Sequence, residues 1–261
     1  MSNTTTRGEV RLERDGPVAT LTLDRESAHN ALTVHMIRSL AEHIETLRAD
    51  TEVRAIVLTG AGSRSFCAGG DLGELIPRLT AGELEILVPD PSKRFFSDVF
   101  VPIIAAVNGI CVAGGLELLL GTDLRIASSR ASFGLPEVKV GMIPGGGSHV
   151  RLPQQVGWPA AMHLLLTGES IDALRALQIG LVGEVVEPDR VLPRAQELAR
   201  LIAANAPIAV RTAKEIAVRA LGNEPRFALE AALNERVLRT QDAQEGPLAF
   251  TEKRPPRFQN R

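Results

Sequence analysis

Apolar positions along the 261-residue chain follow two periods. Val10-Arg11-Leu12-Glu13 and Val18-Ala19-Thr20-Leu21-Thr22-Leu23 alternate, or nearly so, on either side of Asp15-Gly16, and this predicts a β-hairpin. Over residues 30–48 the apolar residues Leu32, Met36, Ile37, Leu40, Ile44 and Leu47 recur at helical spacing and form one face. Residues 53–58 are a short apolar, β-branched run closed by Thr59-Gly60, the pattern of a buried strand. Residues 103–107 form a second such run, and 123–127 a weaker third. Helical segments separate these runs. Strands alternating with helices predict an α/β core with crossover connections.

The pattern changes after about residue 143. Pro144-Gly145-Gly146-Gly147 predicts a turn or a helix entry. Residues 158–167 and 171–181 are predicted as helices, and 182–187 as a short strand. Beyond Pro188, which closes that strand, helices are predicted over 190–205, 208–221 and 227–240, with Pro207 in a first turn. The division expected is a core over 1–195 and a helical region over 196–261, which packs on its own core or on a neighbouring subunit. The tail Glu252-Lys253-Arg254-Pro255-Pro256-Arg257 is expected to leave the packed body.

Composition narrows the function classes. Apolar residues make up 44% of the chain, enough for a sizeable core. Net charge is −2 with no basic block, and aromatic content is 3% with no tyrosine. Both speak against nucleic-acid binding, the first by charge and the second by the lack of base-stacking platforms. The polar start over residues 1–7 is not expected to act as a secretory signal, and no apolar run approaches membrane-spanning length. Two cysteines, Cys67 and Cys111, make no disulfide framework, so a reduced cytoplasmic protein is expected.

Two glutamates stand out. On a helix, Glu117 has Ala113, Gly114, Leu120 and Gly121 as its near neighbours, and none of them pairs with a carboxylate. A buried, unpaired carboxylate is costly and holds its proton more tightly. The plain alternative is a solvated glutamate on an exposed helix edge. Glu137 follows Pro136 in Phe133-Gly134-Leu135-Pro136-Glu137; a loop glutamate alone is usually just solvated, and its weight comes from the combination with Glu117. General acid–base chemistry needs two groups with different proton occupancy across one substrate.

Two glycine turns, Phe66-Cys67-Ala68-Gly69-Gly70-Asp71 and Ala113-Gly114-Gly115, offer free backbone N–H groups at Gly70 and Gly114. Two such groups aimed at one point form an oxyanion hole, though tight turns serve packing alone just as well. Gly60-Ala61-Gly62 lacks a further glycine at Ser65, so it is no dinucleotide fingerprint. The five histidines show no metal spacing, so no metal site is expected. Ser148 and His149 are adjacent and are assigned surface or capping roles. Cys67 is assigned to packing rather than nucleophilic attack.

In this order and spacing, further segments complete a pattern: Ile56-Val57-Leu58-Thr59-Gly60, Pro102-Ile103-Ile104-Ala105-Ala106-Val107-Asn108-Gly109, Asp123-Leu124-Arg125-Ile126-Ala127 and Gly141-Met142-Ile143-Pro144. With them the chain resembles the crotonase superfamily, the enoyl-CoA hydratases and isomerases, over almost its whole length. The resemblance implies a spiral core of repeated β-β-α turns and a C-terminal helical region that trimerises, as a homotrimer or a dimer of trimers. It implies an acyl-CoA thioester substrate, no cofactor beyond the CoA the substrate carries, Gly70 and Gly114 as the oxyanion hole, and Glu117 and Glu137 as the hydratase carboxylates. It further places Arg25, Ala28, Ala68, Gly69, Asp71 and Leu72 at the CoA, with Phe250 and Lys253 reaching a neighbour's CoA. Two departures appear: Ser27 stands where a cation is common, with Arg25 as its substitute, and Ser148-His149 follow the glycine turn where Thr-Gln is usual. His149 is a candidate for the acyl end of the pocket, and residues 73–97 are expected to act as a lid.

The activity this predicts is hydration of a 2-enoyl-CoA. Alternatives are a Δ3,Δ2-enoyl-CoA isomerase, or a dehydratase, hydrolase or C–C lyase on a specialised acyl-CoA. From a different class come an idle acyl-CoA binder, which the two intact glutamates disfavour, and an RNA-binding relative, which the balanced charge disfavours.

Overall fold

The computed structural model describes residues 7–259; all of the polar start read over residues 1–7 except Arg7 lies outside them. The first hairpin pairs β1 (Glu9–Asp15) with β2 (Val18–Asp24) in antiparallel register through Gly16, whose φ of +57° suits the tight turn. Helix α1 (Val34–Ala49) starts where the Thr33 hydroxyl accepts the Met36 N–H at 3.2 Å, and it buries the apolar face read from the sequence.

Three turns of one repeat follow. The first is β3 (Ala55–Gly60), β4 (Ser65–Cys67) and α2 (Leu75–Thr80). The second is β5 (Ile103–Val107), β6 (Ile110–Val112) and α3 (Gly114–Leu120). The third is β7 (Leu124–Ser128), β8 (Ser132–Gly134) and a 3-10 turn over Pro136–Val140. Then come α4 (Ser148–Val156), α5 (Trp158–Thr167), β9 (Ser170–Asp172), α6 (Ala173–Gln178) and β10 (Glu184–Val186). The chain ends in α7 (Val191–Ala203), α8 (Pro207–Ala220), α9 (Glu224–Leu238) and α10 (Asp242–Thr251).

The strands form two sheets. A six-stranded sheet has the order β1-β2-β3-β5-β7-β10, parallel except for the hairpin, and a four-stranded sheet has the order β4-β6-β8-β9. Each repeat therefore lays one strand in the large sheet, one in the small sheet, and then a helical turn. This is the β-β-α spiral. The central strands β3 and β5 of the large sheet are covered on both faces and buried along their whole length, whereas the edge strand β1 is charged and mostly exposed. Ile56, Leu58, Ile103 and Ala105 point into the main core, while Val57, Ile104 and Ala106 point to α7. Helix α7 meets them with Val191, Ala195, Ala199 and Ala203, a stripe of small residues four apart that lets it lie close. The range 196–261 thus begins inside α7, whose Ala199 and Ala203 are buried on the sheet.

Two expectations are corrected. Residues 171–181 are not one helix: Gly168 closes α5 at φ +64°, and Ile171 then pairs with Phe133 as part of β9. The tail does not leave the body. Arg254 chelates Glu245 at 2.6 and 2.9 Å, and the Gln259 N–H donates to Asp242 at 2.7 Å, so the tail folds back over α10.

Candidate active site

The strand ends of the small sheet aim their following turns at one place. After β4 the chain turns at Gly69, with φ of +94°, and the Leu32 N–H donates to the Gly69 carbonyl at 2.7 Å. After β6 it turns at Ala113, a non-glycine residue held at φ +52°, and enters α3. Such a conformation costs an alanine energy and persists only where the surroundings impose it. Here the second turn imposes it. A Cβ added to Gly69 would stand 2.6 Å from the Ala113 Cβ, and one on Gly114 would lie 3.6 Å from the Gly70 nitrogen. The two glycine turns are therefore in contact. Among the described residues neither the Gly70 nor the Gly114 N–H has a hydrogen-bond acceptor, and both residues line the same cavity of about 480 Å³.

Glu117 lies one turn into α3 and lines that cavity, though only 5% exposed. Its Oε1 accepts the Gly146 N–H at 2.6 Å and the Ser148 hydroxyl at 3.3 Å. Gly146 is required: a Cβ there would stand 2.7 Å from Glu117 Oε2 and 3.0 Å from the Phe95 ring. Glu137 reaches the cavity from the 3-10 turn after Pro136, and its Oε2 is buried without a partner among the described residues.

Burial dominates the electrostatics of both carboxyls. It pushes Glu117 up to about 7, assisted by the charge of Glu230, while the Gly146 N–H, His149 and Ser148 pull the other way. It pushes Glu137 up to about 8, assisted by the charge of Glu117. Two buried like charges in one cavity resist ionising together, so near neutral pH the pair holds about one proton. That state contains a base and an acid side by side.

Ala68 and Leu72 line the cavity as well, and the segment expected to act as a lid adds Leu75, Ile76, Leu79, Leu87 and Phe95 to its wall. Arg25 and Asp71 are held together at 2.6 Å. Asp71 Oδ1 also accepts the N–H groups of Gly73 and Glu74, both at 2.9 Å, so this pair fixes the start of the lid rather than the cavity wall. Burial raises the Asp71 carboxyl, but the Arg25 guanidinium and those two N–H groups outweigh it and hold it below its ordinary value. Gly69 and Ala28 are not among the residues that line the cavity, and Ala28 sits in the 3-10 turn Glu26–Ala28.

Phe250 lines the cavity of its own chain, together with Asn234, Leu238 and Gly246 of the last two helices. Lys253 lies off the wall, and its neighbour Arg254 is on it. His149 is off the wall too: its ring Nδ1 stands 3.2 Å from Glu230 Oε1. Ser148, assigned to the surface or a cap, is fully buried against Glu117. The sequence reading passed over the role of Gly146, for which the run Gly145-Gly146-Gly147 was the available signal. Cys67 is buried, and burial pushes its thiol up to about 12, consistent with packing. Among the described residues no cluster of three or more His, Cys, Asp or Glu is suited to hold a metal ion.

Comparison with known proteins gives a consistent result. The model of the family described as enoyl-CoA hydratase/isomerase matches residues 13–261. The enoyl-CoA hydratase EchA19 of Mycobacterium tuberculosis is 38% identical over 265 aligned positions, covering 97% of each chain. The short-chain-enoyl-CoA hydratase of Clostridium acetobutylicum is 39% identical over 248, covering 94% of this chain and 95% of that protein. Among solved structures, the carnitinyl-CoA hydratase from Mycobacterium avium superposes with a TM-score of 0.86 at 39% identity, over 97% of this chain and 98% of that one.

Proposed function

The chain belongs to the enoyl-CoA hydratase/isomerase family, and on that premise we propose that it adds water across the 2,3 double bond of a 2-enoyl-CoA. The observation that carries this is the pair of buried carboxyls sharing one cavity with two unengaged N–H groups. The thioester oxygen takes the N–H groups of Gly70 and Gly114. Glu117 in its ionised form accepts a proton from water as the water oxygen bonds to C3. The electron pair of the double bond moves toward the thioester, and the enolate charge falls on the oxygen held by the two N–H groups. Glu137, in its protonated form, delivers its proton to C2. The product is a 3-hydroxyacyl-CoA. Glu117 is left protonated and Glu137 ionised, and exchange with solvent restores the start.

Every bond made or broken lies in substrate, water and the two carboxyls, so the chemistry calls for no resident cofactor; CoA arrives with the substrate. The same proposal includes a homotrimer or dimer of trimers, supported by apolar side chains left open on the C-terminal helices, such as Ile208 at 80%, Ile216 at 65% and Leu229 at 61% exposed. It includes a cytoplasmic location, which the two buried free thiols favour. Among the described residues no helix is long and apolar enough to cross a membrane.

The test is turnover of crotonyl-CoA and longer 2-enoyl-CoAs in oxygen-18 water. Label in the product alcohol marks hydration, whereas an isomerase moves only hydrogen. Glu117→Gln and Glu137→Gln are each expected to lower kcat by about 10²–10⁴-fold, the usual contribution of a general acid or base. Unchanged rates in both variants would overturn the assignment.

A further inference from the structure

A third carboxylate is buried behind the site and takes no part in the reaction above. Glu230 of α9 is 3% exposed, and its partner Arg94, at the end of the lid segment, is 0% exposed. Arg94 Nε donates to Glu230 Oε2 at 2.9 Å. Three more of its N–H groups donate to backbone carbonyls: Pro91 and Lys93 on the lid at 3.1 and 2.7 Å, and Phe227 on α9 at 2.7 Å. The other carboxylate oxygen, Oε1, accepts the His149 N–H at 3.1 Å and faces His149 Nδ1 at 3.2 Å.

The consequence lies three residues earlier. His149 is in the first turn of α4, directly after Ser148 and close to Gly146, the two residues that donate to Glu117. This short segment is therefore clamped between two carboxylates, Glu117 in front and Glu230 behind. Glu230 joins three pieces of chain: the lid, the α4 entry and the C-terminal helix α9 that supplies Asn234 and Leu238 to the cavity wall. Arg151 of α4 bridges the lid and α9 as well, donating to the Phe95 carbonyl at 2.9 Å and stacking on Phe227.

We propose that Glu230 is a positioning residue for Glu117: by tying the lid and the first turn of α4 to α9, it fixes the Gly146 and Ser148 donors that hold Glu117 toward the substrate. This rests on the reading of Glu117 as the group that activates water. A longer-range effect of charge accompanies the geometric one. The groups that face Glu230 are Arg94 from the lid, His149 and Arg151 from α4, and Glu117 from α3. Arg94 and Arg151 both stack on the Phe227 ring, at 5.3 and 5.2 Å from its centre, so Glu230 is the anion that balances two buried cations. Without it, Glu117 faces a more positive surrounding and gives up its proton more readily.

The experiment compares Glu230→Gln with Glu230→Asp on crotonyl-CoA across pH. Gln keeps the reach and loses the charge. For it we expect kcat to fall by roughly 10- to 100-fold, the scale of small misplacements in an active site, with KM little changed and the acid limb of the kcat profile moved to lower pH. Asp keeps the charge and loses the reach; kcat falls while the limb stays. A merely structural role moves neither limb nor the balance of kcat against KM. If Glu230→Gln fails to fold, the double variant Glu230→Gln/Arg94→Met removes the buried Glu230–Arg94 pair together and leaves Arg151 in place, a change that proteins tolerate better than removing one partner alone. The double variant must then show the kcat loss at near-normal KM. An active wild type with either variant at wild-type kcat and an unmoved limb overturns the inference alone; a wild type that hydrates no enoyl-CoA overturns the proposed function and this inference with it.

Discussion

Replacing Glu137 by Gln removes a carboxyl that the fold buries at a cost, so the variant gains stability on the alkaline side while losing activity. Burial and the charge of Glu117 raise the Glu137 carboxyl from 4.5 to about 8. The sign follows from proton counting. In the unfolded chain the carboxyl ionises near its ordinary value, whereas the folded chain keeps the proton until pH approaches 8. The folded state is therefore disfavoured progressively as pH rises between those values, and the penalty is constant above. The rise corresponds to an upper bound of about 5 kcal/mol at about 1.4 kcal/mol per tenfold. Part of it belongs to the coupled pair rather than to Glu137 alone, so a gain of about 2–4 kcal/mol above pH 8 is the working figure. For a chain of this size that is a rise in Tm of about 5–15 °C. The uncharged amide still has an unsatisfied group to bury, since Glu137 Oε2 has no partner among the described residues, and this gives an offset that does not vary with pH. The assay is urea unfolding of wild type and Glu137→Gln at pH 5, 6, 7, 8 and 9, reading the difference in ΔG. The difference must grow with pH up to about 8 and then level off. A difference that is flat across that range, or that shrinks as pH rises, would refute the reasoning.

Three further outcomes follow from contacts around the cavity. Gly246→Ala puts a methyl into the Val140 carbonyl, so α10 is forced off the 3-10 turn that carries Glu137; a stability loss of about 1–3 kcal/mol with at least a tenfold drop in kcat is expected, by thermal unfolding and steady-state kinetics. Asp71→Ala removes both the Arg25 ion pair and the acceptor for the Gly73 and Glu74 N–H groups. The lid then starts loosely, and KM for the enoyl-CoA rises by more than kcat falls, with a stability cost of about 1 kcal/mol. Ala199→Leu overfills the close contact between α7 and the large sheet; it costs about 1–3 kcal/mol in chemical unfolding and leaves kcat of the folded fraction unchanged, because α7 lies on the sheet face away from the cavity.

Local pattern carried the large sheet and the helices well. Residues 103–107 and 158–167 have the bounds the hydropathy pattern predicts, since a buried parallel strand and a capped helix each leave a run long enough to read. The small sheet left no such trace. Strands β4, β6, β8 and β9 have three residues each, shorter than the four-residue window in which alternation becomes visible. The spiral therefore came from the resemblance and not from periodicity. At the site, Glu117 was conspicuous because no near neighbour pairs with it. Its actual partners, Gly146 and Ser148, lie 29 and 31 residues away, where no helix periodicity reaches. A still greater distance in sequence hid Glu230, which meets Arg94 across 136 residues. The direction of the tail was misjudged for a related reason: prolines and charges read as a departure, but Arg254 and Glu245 pair once α10 brings them together.

The central claim is that one thioester oxygen sits between the peptide N–H groups of Gly70 and Gly114, with Glu117 and Glu137 across the α- and β-carbons. A crystal structure of the protein with acetoacetyl-CoA, whose 3-keto form has no 2,3 double bond to take up water, measures this directly. The account predicts the thioester oxygen at about 2.7–3.1 Å from both nitrogens, with both carboxyls facing C2 and C3. A ligand whose thioester oxygen contacts neither nitrogen, or whose acyl carbons lie away from the two glutamates, would contradict it.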